Sequence, residues 1–90
     1  MISVVHDPQH TRYTATVDGV VCVLDYQLRG NTMAIVHTGV PSAVGGRGIA
    51  AELTRVALED ARTRGLKVQP VCSYAAVYMQ RHPEYQDLLA

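Results

Sequence analysis

The chain contains no tryptophan and no phenylalanine, so its five tyrosines are its only large aromatic side chains. A core built without Trp or Phe depends on aliphatic residues, and on tyrosines that bury a ring while keeping a partner for the hydroxyl. Cysteine is scarce: Cys22 and Cys72 lie fifty positions apart. Two such residues suit free thiols in a reducing compartment, here expected to be the cytoplasm, better than a disulfide framework. No apolar run approaches the roughly 20 residues of a membrane span. The segment Met1-Ile2-Ser3-Val4-Val5-His6-Asp7 has neither a basic n-region nor a long enough apolar stretch for a signal peptide. An excess of charge of one sign is also missing, since eight Lys and Arg balance eight Asp and Glu. Without a basic stripe interleaved with aromatics, neither nucleic acid nor an anionic membrane is an expected partner. His6 and His10 lack a spaced set of partners, so no metal site is expected. No Gly-x-Ser-x-Gly elbow is present.

What is there reads as one globular α/β domain over residues 1–90, with 48% apolar and 18% charged residues. A short edge strand is expected over Ile2 to Asp7, ended by Pro8. Arg12–Val17 and Val20–Leu28 are rich in β-formers and flank Asp18-Gly19, a type I′ hairpin signal. In the second of these, Cys22, Leu24, Tyr26 and Leu28 share the face expected to be buried. Arg29-Gly30-Asn31 makes another turn, and Thr32–Val40 a third long strand, with Met33, Ile35 and His37 on one face. Helical periodicity runs from Gly46 to Arg64, with Ile49, Leu53, Val56, Ala57 and Ala61 as its apolar stripe and Gly65 as its stop. Leu66–Cys72 is expected to pair parallel with Thr32–Val40 through a right-handed crossover. Ser73 is the expected cap of a short helix from Tyr74 to Arg81, ended by His82-Pro83. An antiparallel meander thus feeds one βαβ unit followed by a short C-terminal helix.

The stretch Val40 to Ala51 carries the chemistry. Gly45, Gly46, Arg47 and Gly48 sit where the long helix starts. A helix N-terminus has unpaired N–H groups and partial positive charge, and glycines let a ligand approach the backbone. Together they make a place for a phosphate group. The alternative is a strand-to-helix loop whose glycines serve only close packing.

Four ordered motifs add to this. They are His37-Thr38-Gly39-Val40-Pro41, Gly45-Gly46-Arg47-Gly48-Ile49-Ala50, Pro70-Val71-Cys72 and Tyr78-Met79-Gln80-Arg81-His82-Pro83-Glu84-Tyr85. Their order and spacing, from about Tyr13 to Leu89, resemble the GCN5-related N-acetyltransferases, and within them the very small YjdJ-like subgroup. The resemblance implies a single-domain acetyltransferase fold that binds acetyl-CoA. It implies that the turn from Gly45 through Gly46, Arg47, Gly48, Ile49 and Ala50 to Ala51 holds the pyrophosphate, and that Thr38, Gly39 and Val40 pair with the pantetheine amides. Cys72, Ser73, Tyr78 and Arg81 would line the rest of the cofactor's path. Two departures stand out: Gly39 occupies a position usually held by Glu, and Gly45 one usually held by Arg. The first removes an obvious carboxylate base, and the second one cation.

Each candidate has a plainer alternative. Cys72 either attacks the acetyl carbonyl or lines the pocket as a small apolar side chain. His37 either relays the amine's proton or is a strand histidine with a satisfied hydrogen bond. Tyr78 either protonates the leaving thiolate or packs as a core aromatic. Arg47 either reaches a phosphate or is solvated, and Arg81 either does so or caps its helix. The resemblance therefore implies acetyl transfer from acetyl-CoA to an amine, with a protein lysine or terminus among the expected acceptors. Its rival is a module that binds CoA and a protein partner without turnover.

Overall fold

The structure, a computed structural model, describes residues Ile2 to Ala90. Five strands form one sheet in the order β1-β2-β3-β4-β5. They are β1 (Val5–Asp7), β2 (Arg12–Val17), β3 (Val20–Arg29), β4 (Thr32–Gly39) and β5 (Lys67–Pro70). The first four pair antiparallel, and β5 pairs parallel with β4. Asp18 and Gly19 take φ of 51° and 74°, the two positive values a type I′ turn needs, so the β2–β3 hairpin is set by local chemistry.

Helix α1 (Ile49–Thr63) crosses one face of the sheet and helix α2 (Ser73–Arg81) follows β5. Tyr13, Leu24, Tyr26, Met33 and Ile35 on the sheet meet Ile49, Leu53, Ala57, Leu58 and Ala61 on α1 in one core. The buried side of α1 is wider than its apolar stripe. Leu58 and Thr54 are fully buried and Val56 lies at the margin. Thr54 tolerates burial because its hydroxyl donates to the Ala50 carbonyl at 2.8 Å. Three of the four buried tyrosines also find partners for their hydroxyls. Tyr13 donates to Asp60 and Tyr85 to Glu59, both at 2.6 Å, and Tyr26 Oη lies 2.7 Å from His6 Nε2. Gly65, at φ 69°, ends α1 in a Schellman arrangement, with Leu66 N–H bonded to Ala61 O at 2.8 Å and Gly65 N–H to Arg62 O at 3.2 Å.

Three expectations fail for local reasons. Leu28 is exposed, because the end of β3 runs beyond the area α1 covers. The edge strand is shorter than expected and begins at Val5. The third correction concerns His37. Tyr26 pairs with Ile35 but Asp25 pairs with His37, so Val36 is an extra residue bulged out of β4. One inserted residue reverses the alternation. His37 is therefore exposed on the face opposite α1, in the same row as Asp25, and not on the face of Met33 and Ile35.

Candidate functional site

The site begins where β4 and β5 part. Their pairing ends at Ile35 with Pro70. The N–H groups of Val71 and Cys72 both reach the Ile35 carbonyl at 3.0 Å, and β5 then turns away into α2. Beyond that point β4 continues through Thr38 and Gly39, paired with β3 only. The side of β4 facing α2 thus becomes a sheet edge, a template for an added extended chain.

The glycine turn follows. A single 3-10 turn, Ser42–Val44, leads into it and was not anticipated from the sequence. Val44, 1% exposed, and Ile49, 2% exposed, pin the turn to the core from both ends. Gly46 and Gly48 take φ of 77° and 78°, and a Cβ added at either meets nothing within 4 Å. These two glycines are required by backbone conformation rather than by crowding. Gly45 differs: its φ is −66°, and a Cβ there makes only an ordinary 3.5 Å contact with Ser42 O. Gly48 is the N-cap of α1 and has no side chain to offer its first N–H groups. Glu52 N–H is the first to bond back, to Gly48 O at 3.1 Å. The N–H groups of Ile49, Ala50 and Ala51 have no carbonyl one turn earlier in the helix. The turn therefore presents donors and the positive end of a fifteen-residue helix to open space.

From Gly48 a cleft of about 320 Å³ runs between α1 and α2. Gly48, Ala51, Tyr78 and Arg81, four of the residues that the resemblance assigns to the cofactor, line it. So do Glu52, Arg55, Tyr74, Val77 and His82, which sequence reasoning missed. A helical wheel contained the signal: Gly48, Ala51, Glu52 and Arg55 share one face, beside the apolar stripe. Tyr78 is 9% exposed and stacks on His82 with ring centroids 3.9 Å apart. Burial, then the neighbouring Tyr74, raises the Tyr78 pKa, so its hydroxyl keeps its proton at neutral pH.

The remaining candidates are dispersed. Arg47 turns away from the cleft: its Nη1 donates to Asp18 at 2.6 Å, tying the glycine turn to the β2–β3 hairpin. Ser73 is not the cap of α2. It is the first helical residue, and Cys72 is the N-cap, with Sγ accepting from Ala75 N–H at 3.4 Å. The reason is tertiary: Cys72 N–H is held by Ile35 O, which fixes Cys72 in the extended backbone an N-cap needs. Cys72 is half-buried at the parting of the strands, with its sulfur at the positive end of α2. Cys22 is fully buried in the core. His37 lies over Gly39, and a Cβ at residue 39 would stand 3.0 Å from His37 Nε2. Among the described residues no three His, Cys, Asp or Glu side chains are grouped to hold a metal ion, and no helix is long and apolar enough to cross a membrane.

A five-stranded sheet that parts between its fourth and fifth strands, with a glycine turn opening the crossover helix at that split, defines an α+β domain with a ligand-sized opening at one end of its sheet. A sequence profile described as GCN5-related N-acetyl-transferase matches residues 12–88. The chain belongs to the GCN5-related N-acetyltransferase family. It is 34% identical over 90 residues to Protein NATD1 of Gallus gallus, covering 97% of this chain and 82% of that one. Protein NATD1 of Homo sapiens is likewise 34% identical, with 97% and 80% covered. The solution structure of a GCN5-like protein from Staphylococcus aureus superimposes with a TM-score of 0.78 at 25% identity, covering 98% of this chain and 87% of that one.

Proposed function

We propose that the chain is a cytoplasmic acetyl-CoA-dependent N-acetyltransferase whose acceptor is an amine carried by a protein, a lysine or a chain terminus. The observation that carries this reading is the meeting, at one end of the sheet, of a donor-rich glycine turn, an unpaired edge of β4 and the Cys72 sulfur. The residues fit the donor. The turn at Gly46–Ala51 offers N–H groups to a pyrophosphate, and Thr38 to Val40 offer backbone groups to the amides of the arm. The parting of β4 from β5 admits that arm toward Cys72.

In this reading Cys72, as its thiolate, adds to the acetyl carbonyl carbon. The bond from that carbon to the CoA sulfur breaks, and Tyr78 gives its proton to the departing sulfur. The neutral acceptor amine then attacks the Cys72 thioester. A C–N bond forms, the bond to Cys72 breaks, and His37 takes the amine's proton. His37 stands on the exposed sheet face, from which an acceptor has free approach. Thr14, Thr16, Val21 and Val23 on that same face are half-buried or exposed, with no helix over them. An open face suits an amine on a macromolecule better than a small amine, which needs enclosing walls.

Gly39 favours the second reading, a module that holds acyl-CoA and a partner without turnover, since a glycine offers no proton acceptor. His37 answers part of that objection, because its ring occupies the space from which a side chain at 39 would start. The deciding experiment mixes the protein and acetyl-CoA with small amines, lysine peptides and peptides with free N-termini. Amine-dependent release of CoA, faster with peptides, is expected. Binding of acetyl-CoA with no release on adding any amine would establish the module instead.

A further inference from the structure

His82 is held in one orientation from two sides. Pro83 bars the residue before it from helical backbone, and His82 takes φ −124° and ψ 82° just past the end of α2. Its Nδ1 lies 2.7 Å from the Tyr78 carbonyl oxygen. A carbonyl only accepts, so Nδ1 carries a hydrogen and the proton that comes and goes sits on Nε2. The imidazole also lies flat on the Tyr78 ring, with centroids 3.9 Å apart and planes 13° from parallel. A helix cap needs only the bond to the carbonyl. The stack is a separate contact, and it joins a half-buried histidine to a buried phenol in the wall of the cleft. Other groups face this pair from each neighbouring element. On α1 they are Glu52 and Arg55, whose opposite charges are paired at 2.8 Å. On α2 they are Tyr74, its ring 6.3 Å from that of Tyr78, and Arg81. Beyond α2 they are Glu84 and Tyr85. Of all these side-chain types, histidine alone ordinarily changes charge between pH 5 and 8. Burial makes the Tyr78 hydroxyl hold its proton tightly, which works against donating it. An imidazolium against the ring face opposes that, because it stabilises the phenolate left behind, and a neutral imidazole does not.

We propose that His82 is a positioning residue for Tyr78: its ring fixes the plane of the phenol, and its charged form assists proton donation to the departing sulfur, so that this assistance is lost as pH rises through the titration of His82. This role rests on the reading of Tyr78 as the acid of a CoA-dependent enzyme, but it fails separately from that reading.

The test follows the first-turnover release of CoA from acetyl-CoA, between about pH 5 and pH 9, in the parent, His82→Asn and His82→Phe. Asparagine keeps a donor for the Tyr78 carbonyl, phenylalanine keeps a ring to stack, and neither takes up a proton. The ratio of variant to parent rate cancels the ionisation of Cys72, which all three share. Both variants should be about tenfold slower than the parent at the acid end, the effect of about one unit of phenol acidity, and should approach it at the alkaline end. A merely structural role would slow a variant by one factor at every pH. That outcome, or parent rates throughout, would overturn the proposal. Carbon-13 NMR of tyrosine labelled at Cζ gives a readout independent of turnover, with Tyr78→Phe identifying the signal. The Tyr78 signal should step where His82 titrates in the parent and stay level there in His82→Asn. A parent signal without that step would also overturn the proposal. No CoA release from any of the three proteins would overturn the enzyme reading, and the step would then decide for or against the coupling of the two rings.

Discussion

Gly48→Glu is expected to weaken CoA binding at least a hundredfold while leaving a folded protein. Gly48 takes φ 78° at the N-cap of α1, and a Cβ there meets nothing within 4 Å. The fold loses only the cost of a left-handed non-glycine residue, about 1–2 kcal/mol. Part of that is offset, because a carboxylate at a helix N-terminus is favourable by about 0.3–1 kcal/mol. The same carboxylate stands where phosphates would approach and claims the N–H groups they need. Gly48→Ala separates strain from charge. It carries the conformational cost without the carboxylate, and should lose only a few-fold in affinity. Titration of the two folded variants checks this, and undiminished affinity in Gly48→Glu would put the phosphates elsewhere.

Substituting Cys72 is expected to remove turnover, and the structure supplies a way to separate its two roles. The sulfur is both the proposed acyl carrier and the N-cap of α2 through Ala75 N–H. Cys72→Ala removes both, so about 1 kcal/mol of stability should go with the activity. Cys72→Ser keeps a capping oxygen, since serine is among the preferred N-caps, and should melt no lower than the parent. Both variants should lose amine-dependent turnover by a hundredfold or more. Both should bind CoA nearly as well as the parent, because the glycine turn is untouched. The parent should gain about 42 Da on incubation with acetyl-CoA, the mass of an acetyl group on a nucleophile. Cys22→Ala should keep that adduct, since Cys22 is buried in the core. Full turnover in Cys72→Ser would mean that the amine attacks acetyl-CoA directly, with Tyr78 and His37 handling the protons.

Features set by a few neighbouring residues were legible in the sequence. Asp18-Gly19 and Gly65 dictate their own backbone, so the hairpin and the end of α1 fell where expected. The start of α1 was less legible. Apolar periodicity suggested a helix from Gly46, yet Gly46 and Gly48 are left-handed and the helix begins at Ile49. The bulge at Val36 has no signature in alternation alone, and so His37 was put on the wrong face. Serine's preference for N-caps pointed to Ser73, but a long-range bond from Cys72 N–H to Ile35 O decided for the cysteine. At the site, the glycines and Tyr78 were readable as motifs. Glu52 and Arg55 were not, because only α2 lying across from them makes their helix face one wall of a cleft. Arg47 showed the converse: a cation in the right motif is engaged by Asp18, twenty-nine residues earlier.

The central claim is that the glycine turn and cleft hold CoA, and calorimetric titration of the unmodified protein with CoA, paired with its melting curve, tests it most directly. The expected result is saturable binding at one site. At one hundred times the dissociation constant, a ligand specific to the native state adds about 2.7 kcal/mol of stability. In a domain of this size that raises the melting temperature by several degrees. No heat of binding and an unchanged melting curve at millimolar CoA would contradict the account.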